Sequence, residues 1–507
     1  MSAASHAASE KSAGHSTGAT ATLHFVDPRQ FKANTRVAVD DAHLRRSFRG
    51  AMDFLQTRRA AHFGATGGVA GADTTDFEQL RDVGRAIRQY SLSRLPELLE
   101  QLEANLVARG VLVHWAATPA EANALFLAIA QRHQASGMIK GKSMVSEEIE
   151  LNHHMAGHGI RCLESDMGEY IVQLAGERPS HIIMPAIHKT KQQIAALFEA
   201  KLADTPHHVP YTEDVDELIA IGRRVLRNEF RDAKVGVSGV NFMVAETGTL
   251  ALVENEGNGR MCTTVPEVHI AITGIEKVVE KLEHLAPLYA LLTRSATGQA
   301  ITTYFNLITG PRRAGELDGP KELHLILLDN GRSQAYRDAD FRPTLQCIRC
   351  GACMNHCPVY ARIGGLAYGT TYPGPIGAII SPHLLGLEPT QDLPTASSLC
   401  GACSEVCPVG IPIPDLLMQL RRAARHDPEP GHAPLAGQAS AKSWPEALAW
   451  QAWAWLNTHP RLYRLGVAIG RKLRVFTPGR QAGWTVHRTP MRLAKRGLRE
   501  RLGEDEV

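Results

Sequence analysis

The sequence predicts an α/β domain, followed by a mainly helical iron–sulfur domain and a helical C-terminal tail. Strand-like and helix-like segments alternate over residues 76–330, which is typical of an α/β domain. Seven of the nine cysteines fall between Cys347 and Cys407, in the kind of cluster that binds metal. Four of the six tryptophans lie between Trp444 and Trp455, in a segment that is otherwise helical in pattern. A length of 507 residues fits two or three domains.

The N-terminal quarter of the chain precedes the alternation. Residues 1–22 are rich in Ala, Ser, Gly and Thr, so we expect them to be disordered for lack of apolar surface. Residues 23–75 are predicted to form an irregular arm with one helix at about residues 40–59. A long helix should then run from residue 76 to about residue 109, because its apolar residues recur at helical spacing.

The α/β domain is predicted over residues 76–330 from a series of short patterns. Thr118 and Pro119 mark a helix start, because threonine caps a helix and proline suits its first position, while Glu121 can reach back to the cap. The remaining predicted elements are strands at 111–115, 159–164, 181–185, 268–273 and 322–328, helices at 146–156 and 190–202, and a hairpin of 241–246 with 249–254.

The first cysteine run has the spacing of a bacterial two-cluster ferredoxin. It contains three cysteines separated by two residues each, then a fourth that precedes a proline. In such runs the first three thiolates hold one cluster, and the fourth reaches the other cluster. The run consists of Cys347, Cys350, Cys353 and Cys357.

The second run, Cys400, Cys403 and Cys407, has one cysteine fewer. The exchange of the fourth cysteine predicts two ligand sets, which are Cys347, Cys350, Cys353 and Cys407 for the first cluster and Cys357, Cys400 and Cys403 for the second. Ser397 stands where an eighth cysteine would fall. The second cluster is therefore either a four-iron cube with serine, water or another fourth ligand, or a [3Fe–4S] cluster.

Two other uses of these cysteines are less consistent with the sequence. Zinc also binds paired cysteines, but seven cysteines with two Cys-Pro endings divide poorly into the sets of four that structural zinc requires. A disulfide framework is typical of small secreted domains rich in cysteine, and this chain is long and poor in cysteine. Reduced thiols and oxygen-sensitive clusters predict a cytoplasmic protein.

The cysteines are predicted to belong to a second domain, residues 331–425. Forty-two residues separate Cys357 from Cys400, which favours a helical ferredoxin module over a compact ferredoxin with an insertion. Residues 363–387 lack charged side chains, but Pro373, Pro375 and Pro382 favour a folded loop over a membrane span.

Residues 426–442 have the composition of a linker, and residues 443–507 form the Trp-rich basic tail. Twelve Lys or Arg residues and one acidic residue lie between Arg461 and Arg501, so the tail could lie on an anionic membrane surface or bind an acidic partner. The alternative is a docking helix with a solvated basic face. The net charge of +3 implies no general attraction to nucleic acid.

Several short motifs of the α/β region resemble signatures of the lactate-utilisation domain family. With a Gly-Pro-Ile-Gly run at 374–377, they cover roughly residues 70–420. The chain therefore resembles the iron–sulfur subunits of the bacterial three-protein L-lactate utilisation system. The motifs are Lys142-Ser143-Met144 with Glu147-Glu148, the stretch 164–170, Pro179-Ser180-His181-Ile182, the stretch 185–189, Ala245-Glu246-Thr247-Gly248 and the stretch 255–260.

This resemblance implies a first domain related to CoA transferases and sugar-phosphate isomerases, together with two [4Fe–4S] clusters. It also implies an electron-transfer role in the oxidation of L-lactate to pyruvate, in support of growth on lactate. Two partner subunits are implied: a protein with a cysteine-rich motif that resembles heterodisulfide reductase, and a smaller lactate-utilisation-domain protein.

Four residues are candidates for contact with a substrate. His188 and His269 could act as bases, because imidazole titrates near neutral pH. Arg260 follows two glycines in the loop 255–260, where the backbone and the guanidinium could together hold an anion. Glu246 adjoins a Thr-Gly turn and is similar in placement to the catalytic glutamates of CoA-transferase-like folds. The alternatives are structural histidines and a tight turn whose arginine pairs with a neighbouring glutamate.

Three classes of function remain open at this point. The first is an electron-transfer component of a lactate-oxidising complex. The second is an isomerase- or transferase-like enzyme whose clusters are structural or regulatory. The third is a scaffold that assembles partners through the tail. No G-x-G-x-x-G motif follows a predicted strand, so the sequence does not support a built-in flavin or nicotinamide cofactor.

Overall fold

The computed structural model describes residues 27–63, 75–425, 435, 444–481, 485, 489–492 and 494. The predictions for residues 1–22, and for the linker 426–442 apart from Leu435, lie outside the described residues. The chain divides into two compact units, residues 1–439 and residues 440–507, and each is described by itself.

The first unit is built on a parallel sheet of six strands, so the predicted α/β domain is confirmed. Every neighbouring pair in the sheet is parallel, and the order across it is β1-β10-β7-β4-β2-β3. The central strands are buried on both faces, as is usual for a parallel sheet flanked by helices. The strands are β1 (Leu112–Ala116), β2 (Gly137–Lys140), β3 (Arg161–Glu164), β4 (Val235–Gly239), β7 (Val268–Gly274) and β10 (Glu322–Leu328).

The direction of the chain reverses between β2 and β4, which are neighbours in this sheet. From β2 the chain continues to β3 at one edge. From β4 it continues in the opposite direction, to β7 and then to β10. The loops that leave β2 and β4 therefore diverge and leave a crevice at the carboxyl ends of these two strands.

A second, mixed sheet of four strands lies in the same unit. It contains the predicted hairpin, whose strands β5 (Phe242–Val244) and β6 (Thr249–Glu254) pair antiparallel. Strand β8 (Val278–Val279) pairs parallel with β5, and β9 (Tyr304–Ile308) pairs antiparallel with β6.

The helices of the first unit include one whose start was predicted from a capping pattern and another predicted helix that begins with a capping box. Thr118 Oγ1 accepts the Glu121 N–H (3.2 Å), and Thr190 forms a capping box with Gln193. The helices are α1 (Phe31–Asp40), α2 (Ala42–Phe63), α3 (Thr75–Ser93), α4 (Leu95–Ala108), α5 (Pro119–Arg132), α6 (Met144–Glu148), α7 (Leu151–Gly157), α8 (Met167–Ala175), α9 (Lys191–Leu202), α10 (Val215–Asp232), α11 (Asn258–Thr264), α12 (Leu285–Thr297), α13 (Arg332–Arg337), α14 (Ala352–Asn355), α15 (Tyr360–Ile363), α16 (Gly374–Leu385), α17 (Leu387–Thr390), α18 (Ala402–Glu405) and α19 (Ile413–Ala423).

The N-terminal arm is helical rather than irregular, because α1 and α2 cover almost all of its described part. Phe31 and Phe48 on these helices are buried. Phe31 packs against Tyr368 with ring centroids 5.5 Å apart, and Phe48 packs against Tyr360 at the same separation. The arm is therefore part of the core around the cysteine runs.

Three other predictions of local structure are wrong. The long helix of residues 76–109 is two helices, because the chain breaks at Arg94, just before Pro96 in the first turn of α4. The predicted helix 146–156 is interrupted at Glu150, whose φ is +54°. Residues 181–185 form a tight turn instead of a strand, because His181 Nδ1 accepts the N–H groups of the second and third residues after it.

The uncharged stretch 363–387 contains helix α16, where the sequence was expected to form a folded loop. Pro375 stands in the first turn of α16, a position at which proline is well tolerated. Residues 374–383 of α16 are buried in the protein core, where a charged side chain would be costly. The prediction of a loop was wrong for α16, because this helix packs in the core beside the cysteine runs.

The second unit contains two helices, α20 (Trp444–Thr458) and α21 (Pro460–Lys472), so the predicted helical tail is confirmed over this part. All four tryptophans of α20 are more than half exposed. Among the described helices, none has the length and apolar character needed to cross a membrane.

Candidate iron–sulfur centre and adjoining pocket

The two cysteine runs fold alike. In each run the residue before one cysteine and the glycine after it adopt positive φ, so the backbone curls tightly and then enters a one-turn helix, α14 or α18. Equivalent cysteines of the two runs lie fifty residues apart. The residues with positive φ are Arg349 (+62°) and Gly351 (+76°) in the first run, and Leu399 (+56°) and Gly401 (+85°) in the second.

Ser397 occupies the place in the second run that Cys347 holds in the first. The Arg349 N–H donates to Cys347 Sγ (3.3 Å), and the Leu399 N–H donates to Ser397 Oγ (3.0 Å). The same local turn therefore presents a thiol in one run and a hydroxyl in the other.

Four cysteines line one small cavity of about 20 Å³, and we call them the four-cysteine set. All four are buried, and Ile348, Ile376, Val409 and other apolar side chains complete the wall. The set comes from both runs and coincides with the ligands predicted for the first cluster. Its members are Cys347, Cys350, Cys353 and Cys407.

The remaining thiols, Cys357, Cys400 and Cys403, form the three-cysteine set. Burial, followed by the neighbouring Cys357 and Cys400, raises the pKa of Cys403 to about 12. Cys400 is exposed, whereas the other six cysteines of the two runs are buried. Charge on Cys403 also contributes to raising the pKa of Cys353, so the two sets adjoin each other.

The donor chemistry of both sets fits iron–sulfur clusters. All seven thiols are free of disulfides. Backbone N–H groups point at the sulfurs: Tyr360 donates to Cys357 Sγ (3.4 Å) and Ile411 to Cys407 Sγ (3.3 Å), a type of contact that tunes cluster potentials. Buried thiols that raise one another's pKa can all ionise together only when a cation compensates their charge, as iron does.

Basic side chains tie the cysteine runs to the rest of the first unit. Arg81 of α3 donates to the carbonyl oxygens of Cys407 (2.9 Å) and Ser404 (2.8 Å). Lys277 Nζ, which is buried, donates to the Cys347 carbonyl oxygen (3.1 Å). Arg81 and Lys277 could not be predicted as part of this site, because they are distant from the cysteines along the chain.

A pocket of about 350 Å³ lies in the crevice at the carboxyl ends of β2 and β4. Residues 141–145, which follow β2, and residues 238–241, at the carboxyl end of β4, form much of its wall. Lys277 and Arg349 line the pocket from the side of the four-cysteine set, and Arg349 is itself a residue of the first cysteine run. The pocket therefore adjoins the four-cysteine set.

The two candidate histidines lie outside the lining of this pocket. His188 is held between Ser180 Oγ (2.8 Å) and Glu177 Oε2 (2.7 Å). His269 is fully buried within β7 and bonded to Ser238 Oγ (2.8 Å), and burial lowers its pKa to about 3. His269 is therefore neutral at physiological pH and inaccessible to a substrate in the pocket.

The other two candidates are also outside the pocket lining. The Arg260 side chain is exposed and lies over the Tyr304 ring, 5.6 Å from its centroid. The N–H groups of Gly259 and Arg260 donate to the Glu254 carboxylate (2.6 and 2.7 Å), so the glycine loop does not offer these amides to an anion. Glu246 accepts the Leu282 N–H (3.1 Å) on the hairpin surface.

Family models match most of the chain. The LUD domain matches residues 99–328, the 4Fe–4S dicluster domain residues 344–411, and the C-terminal domain of lactate utilisation protein B residues 419–507. Similar proteins include lactate utilization protein B of Bacillus subtilis, 41% identical over 82% of this chain and 83% of its own length. The chain belongs to the lactate utilisation protein B family.

Two further similar proteins cover slightly more of the chain. Lactate utilization protein B of Anoxybacillus flavithermus is 41% identical over 88% of this chain and 89% of its own length. An uncharacterized electron transport protein of Escherichia coli is 41% identical over 87% of both chains. Among solved structures, a DUF162 family protein from Deinococcus radiodurans aligns with 46% of this chain and 98% of its own, at 14% identity and a TM-score of 0.24.

Proposed function

We propose that this chain is the iron–sulfur electron-transfer subunit of a complex that oxidises L-lactate to pyruvate and so supports growth on lactate. The observation that carries the proposal is the arrangement of the seven thiols, with a buried set beside a pocket and an adjoining set that reaches the surface at Cys400. Membership of the lactate utilisation protein B family supports the same role.

The four-cysteine set would hold one [4Fe–4S] cluster, and the three-cysteine set would hold the other. When bound, these groups accept and release single electrons. The apolar side chains of the protein exclude water from the four-cysteine set, and backbone N–H groups donate hydrogen bonds to cysteine sulfurs. Ser397 is the candidate for the fourth ligand of a [4Fe–4S] cluster in the three-cysteine set. The alternative is a [3Fe–4S] cluster held by the three cysteines.

The cluster in the three-cysteine set would exchange electrons with a partner, because Cys400 of this set is exposed to solvent. The names of the relatives imply a lactate utilisation system. We therefore propose two partner subunits: a protein with a cysteine-rich motif and a smaller lactate-utilisation-domain protein. The exposed tryptophans of α20 and the basic residues of the tail would add a peripheral contact with a partner or with an anionic membrane surface.

Two finer features of the resemblance also remain proposals. The α/β domain would be related to CoA transferases and sugar-phosphate isomerases, which the parallel sheet of six strands permits. A cytoplasmic location would suit a protein with seven free thiols in its cysteine runs.

The test is a metal analysis of the full chain, purified without oxygen, with EPR spectra before and after reduction by dithionite. Two cubes would give about eight irons per chain and two interacting reduced signals. We expect Cys353→Ser to weaken the EPR signal of the cluster in the four-cysteine set. Cys403→Ser should weaken the signal of the cluster in the three-cysteine set. Zinc in place of iron, or loss of the same signal in both variants, would contradict the ligand assignment.

Lactate oxidation is measured in a mixture with both partner subunits. Both cysteine variants should lower the rate of lactate-dependent electron transfer if the clusters carry electrons. Unchanged rates in variants that have lost a cluster would favour the isomerase- or transferase-like alternative with structural clusters.

A further inference from the structure

We propose that the pocket beside the four-cysteine set binds a small hydroxycarboxylate, with Arg349 and Lys277 holding its carboxylate and Glu256 and Lys142 facing its hydroxyl group. This inference deepens the proposed function, on which it rests, by placing the organic substrate on this chain. It concerns binding alone, and the clusters are not part of the binding contacts.

The position of the pocket is the first argument. Ligands of open parallel α/β sheets bind outside the carboxyl ends of the strands, at the point where the strand order reverses. Here that point lies between β2 and β4, and the pocket is lined by the loops that leave these two strands. A volume of about 350 Å³ falls in the range of small-molecule sites. It would hold a small acid together with several ordered waters.

Arg349 supplies the second argument, because it has a hydrogen-bond donor to spare. Its side chain is nine-tenths buried, and Nη2 donates to Glu276 Oε1 (3.3 Å). Among the described residues, Arg349 Nη1 has no partner. The guanidinium lies over the Tyr372 ring at 4.7 Å, and the Tyr372 hydroxyl is fixed by Glu148 (2.8 Å). A guanidinium held in this way is ready to receive a carboxylate.

The two lysines also have unused donors. An ammonium group offers three N–H donors. Within the described part of the chain, Lys277 uses one on the Cys347 carbonyl, and Lys142 uses one on the Ile183 carbonyl (2.6 Å). Lys277 and Arg349 line the same pocket, so an anion bound there could accept hydrogen bonds from both side chains.

Another part of the pocket lining is acidic. Asp166 caps α8, and Glu254 accepts the backbone amides of the glycine loop, so both carboxylates have structural partners. Glu256 accepts only the Met167 N–H (3.0 Å) among the contacts described. Glu256 is partly exposed, and partial desolvation followed by the charge of Asp166 raises its pKa to about 7, so the fraction of its carboxyl groups that is ionised near neutral pH can accept a hydroxyl hydrogen bond. A ligand with a carboxylate and a hydroxyl group suits this lining: Arg349 and Lys277 would bind the carboxylate, and Glu256 would accept a hydrogen bond from the hydroxyl group.

Binding is measured by calorimetry on the anaerobically purified, cluster-loaded full chain. The probes are L-lactate, acetate and methyl lactate, the neutral ester. We expect saturable binding of L-lactate, weaker binding of acetate, and none of the ester. Arg349→Lys keeps the charge but loses the planar pair of donors, and Lys142→Met changes a residue outside the cysteine runs. Each should weaken binding of L-lactate by about tenfold or more.

The matched control is Arg342→Lys. Arg342 also lies over a tyrosine, Tyr336, at 4.9 Å, but it is outside the pocket lining, so lactate binding should not change. Absence of saturable binding, equal affinity for the ester, or unchanged affinity in Lys142→Met would overturn the inference. Iron content and the reduced EPR spectrum are recorded on the same samples. If the clusters are intact and lactate does not bind, the inference fails while the proposed function stands.

Discussion

Arg332 is the centre of a buried ionic network that joins the α/β sheet to the cysteine domain. The side chain is fully buried and donates two parallel hydrogen bonds to the Glu148 carboxylate (both 2.8 Å) and one to Glu276 Oε2 (2.7 Å). Glu276 in turn accepts from Arg349 of the first cysteine run. Removing one member of such a network leaves buried charges without compensation.

We expect Arg332→Met to lower the free energy of unfolding by about 3–5 kcal/mol, because the Glu148 and Glu276 carboxylates would stay buried without the hydrogen bonds that Arg332 donates. The midpoint of anaerobic urea unfolding measures the change. Arg337→Met, on the exposed end of the same helix, is the control and should change the midpoint little. Equal midpoints for both variants would contradict this role for Arg332.

His269 predicts how stability depends on pH. The folded protein keeps this buried imidazole neutral, because its pKa is lowered to about 3, whereas the unfolded chain takes up a proton below about pH 6.5. The unfolded state therefore binds more protons, and stability falls as pH drops below 6.5.

Between pH 6.5 and pH 5, His269 should account for a loss of about 2 kcal/mol. His269→Gln keeps a polar partner for Ser238 but does not titrate, so its stability should fall less steeply over this interval. Urea midpoints at several pH values give both slopes. The same slope in both proteins would show that His269 is already protonated in the folded state or does not contribute.

A substitution at Ser397 tests which type of cluster the three-cysteine set binds. Because its hydroxyl occupies the place of a thiol, Ser397→Cys should complete a fourth sulfur ligand without moving the backbone. If the outer cluster has three irons, we expect the variant to gain about one iron per chain and to lose the EPR signal of an oxidised three-iron cluster. Ser398→Cys, one residue further along, should produce neither change.

At the scale of secondary-structure elements, strands with long apolar runs could be predicted from the sequence. Strands β7 and β10 are such strands, and the β5–β6 hairpin was visible from its Thr-Gly turn. Strands β2 and β4 were missed. β2 has four residues and ends in Lys140, a buried charge paired with Glu164 (2.7 Å), while β4 contains two glycines. Tertiary contacts stabilise both strands, and local propensity does not reveal them.

The same contrast applies to the candidate site. The cysteine ligands could be predicted because their spacing within each run is local and their chemistry is specific. The pocket could not be predicted, because it is formed by loops that follow the two strands missing from the sequence prediction. Arg349 belongs to the predicted motif, but its part in the pocket depends on Lys277 and on the loop 141–145, which are distant in sequence.

The packing of the segment between the two cysteine runs against the turn that contains Ser180 can be tested with one glycine. A Cβ atom on Gly365 would lie 1.8 Å from the Ser180 carbonyl oxygen, so Gly365→Ala would force two backbone segments apart. We expect a loss of about 3 kcal/mol in stability and a lower iron content. In Gly157→Ala, at the end of α7, the new Cβ has no neighbour within 4 Å, and thermal unfolding should be unchanged. A stable, iron-replete Gly365→Ala variant would contradict this packing.

At the scale of the whole molecule, the two compact units predict a separable tail. The seven cysteines of the runs and the cores around them belong to residues 1–439. We therefore expect deletion of residues 443–507 to leave the iron content and the reduced EPR spectrum unchanged. Co-purification with the partner subunits shows whether the tail is a docking element. Retained complex formation would exclude the tail as the contact of a scaffold, and loss of iron would contradict the independence of the first unit.

The fifty-residue offset between the two cysteine runs has a consequence for how this protein could arise and mature. Each run folds into the same turn, and Cys407 of the second run lines the cavity of the four-cysteine set. Neither run alone supplies all four thiols of that set. On the ribosome, the inner metal site could not be closed until the second run had emerged, some fifty residues after the first. The cluster of the four-cysteine set would therefore be inserted only after both cysteine runs have been synthesised.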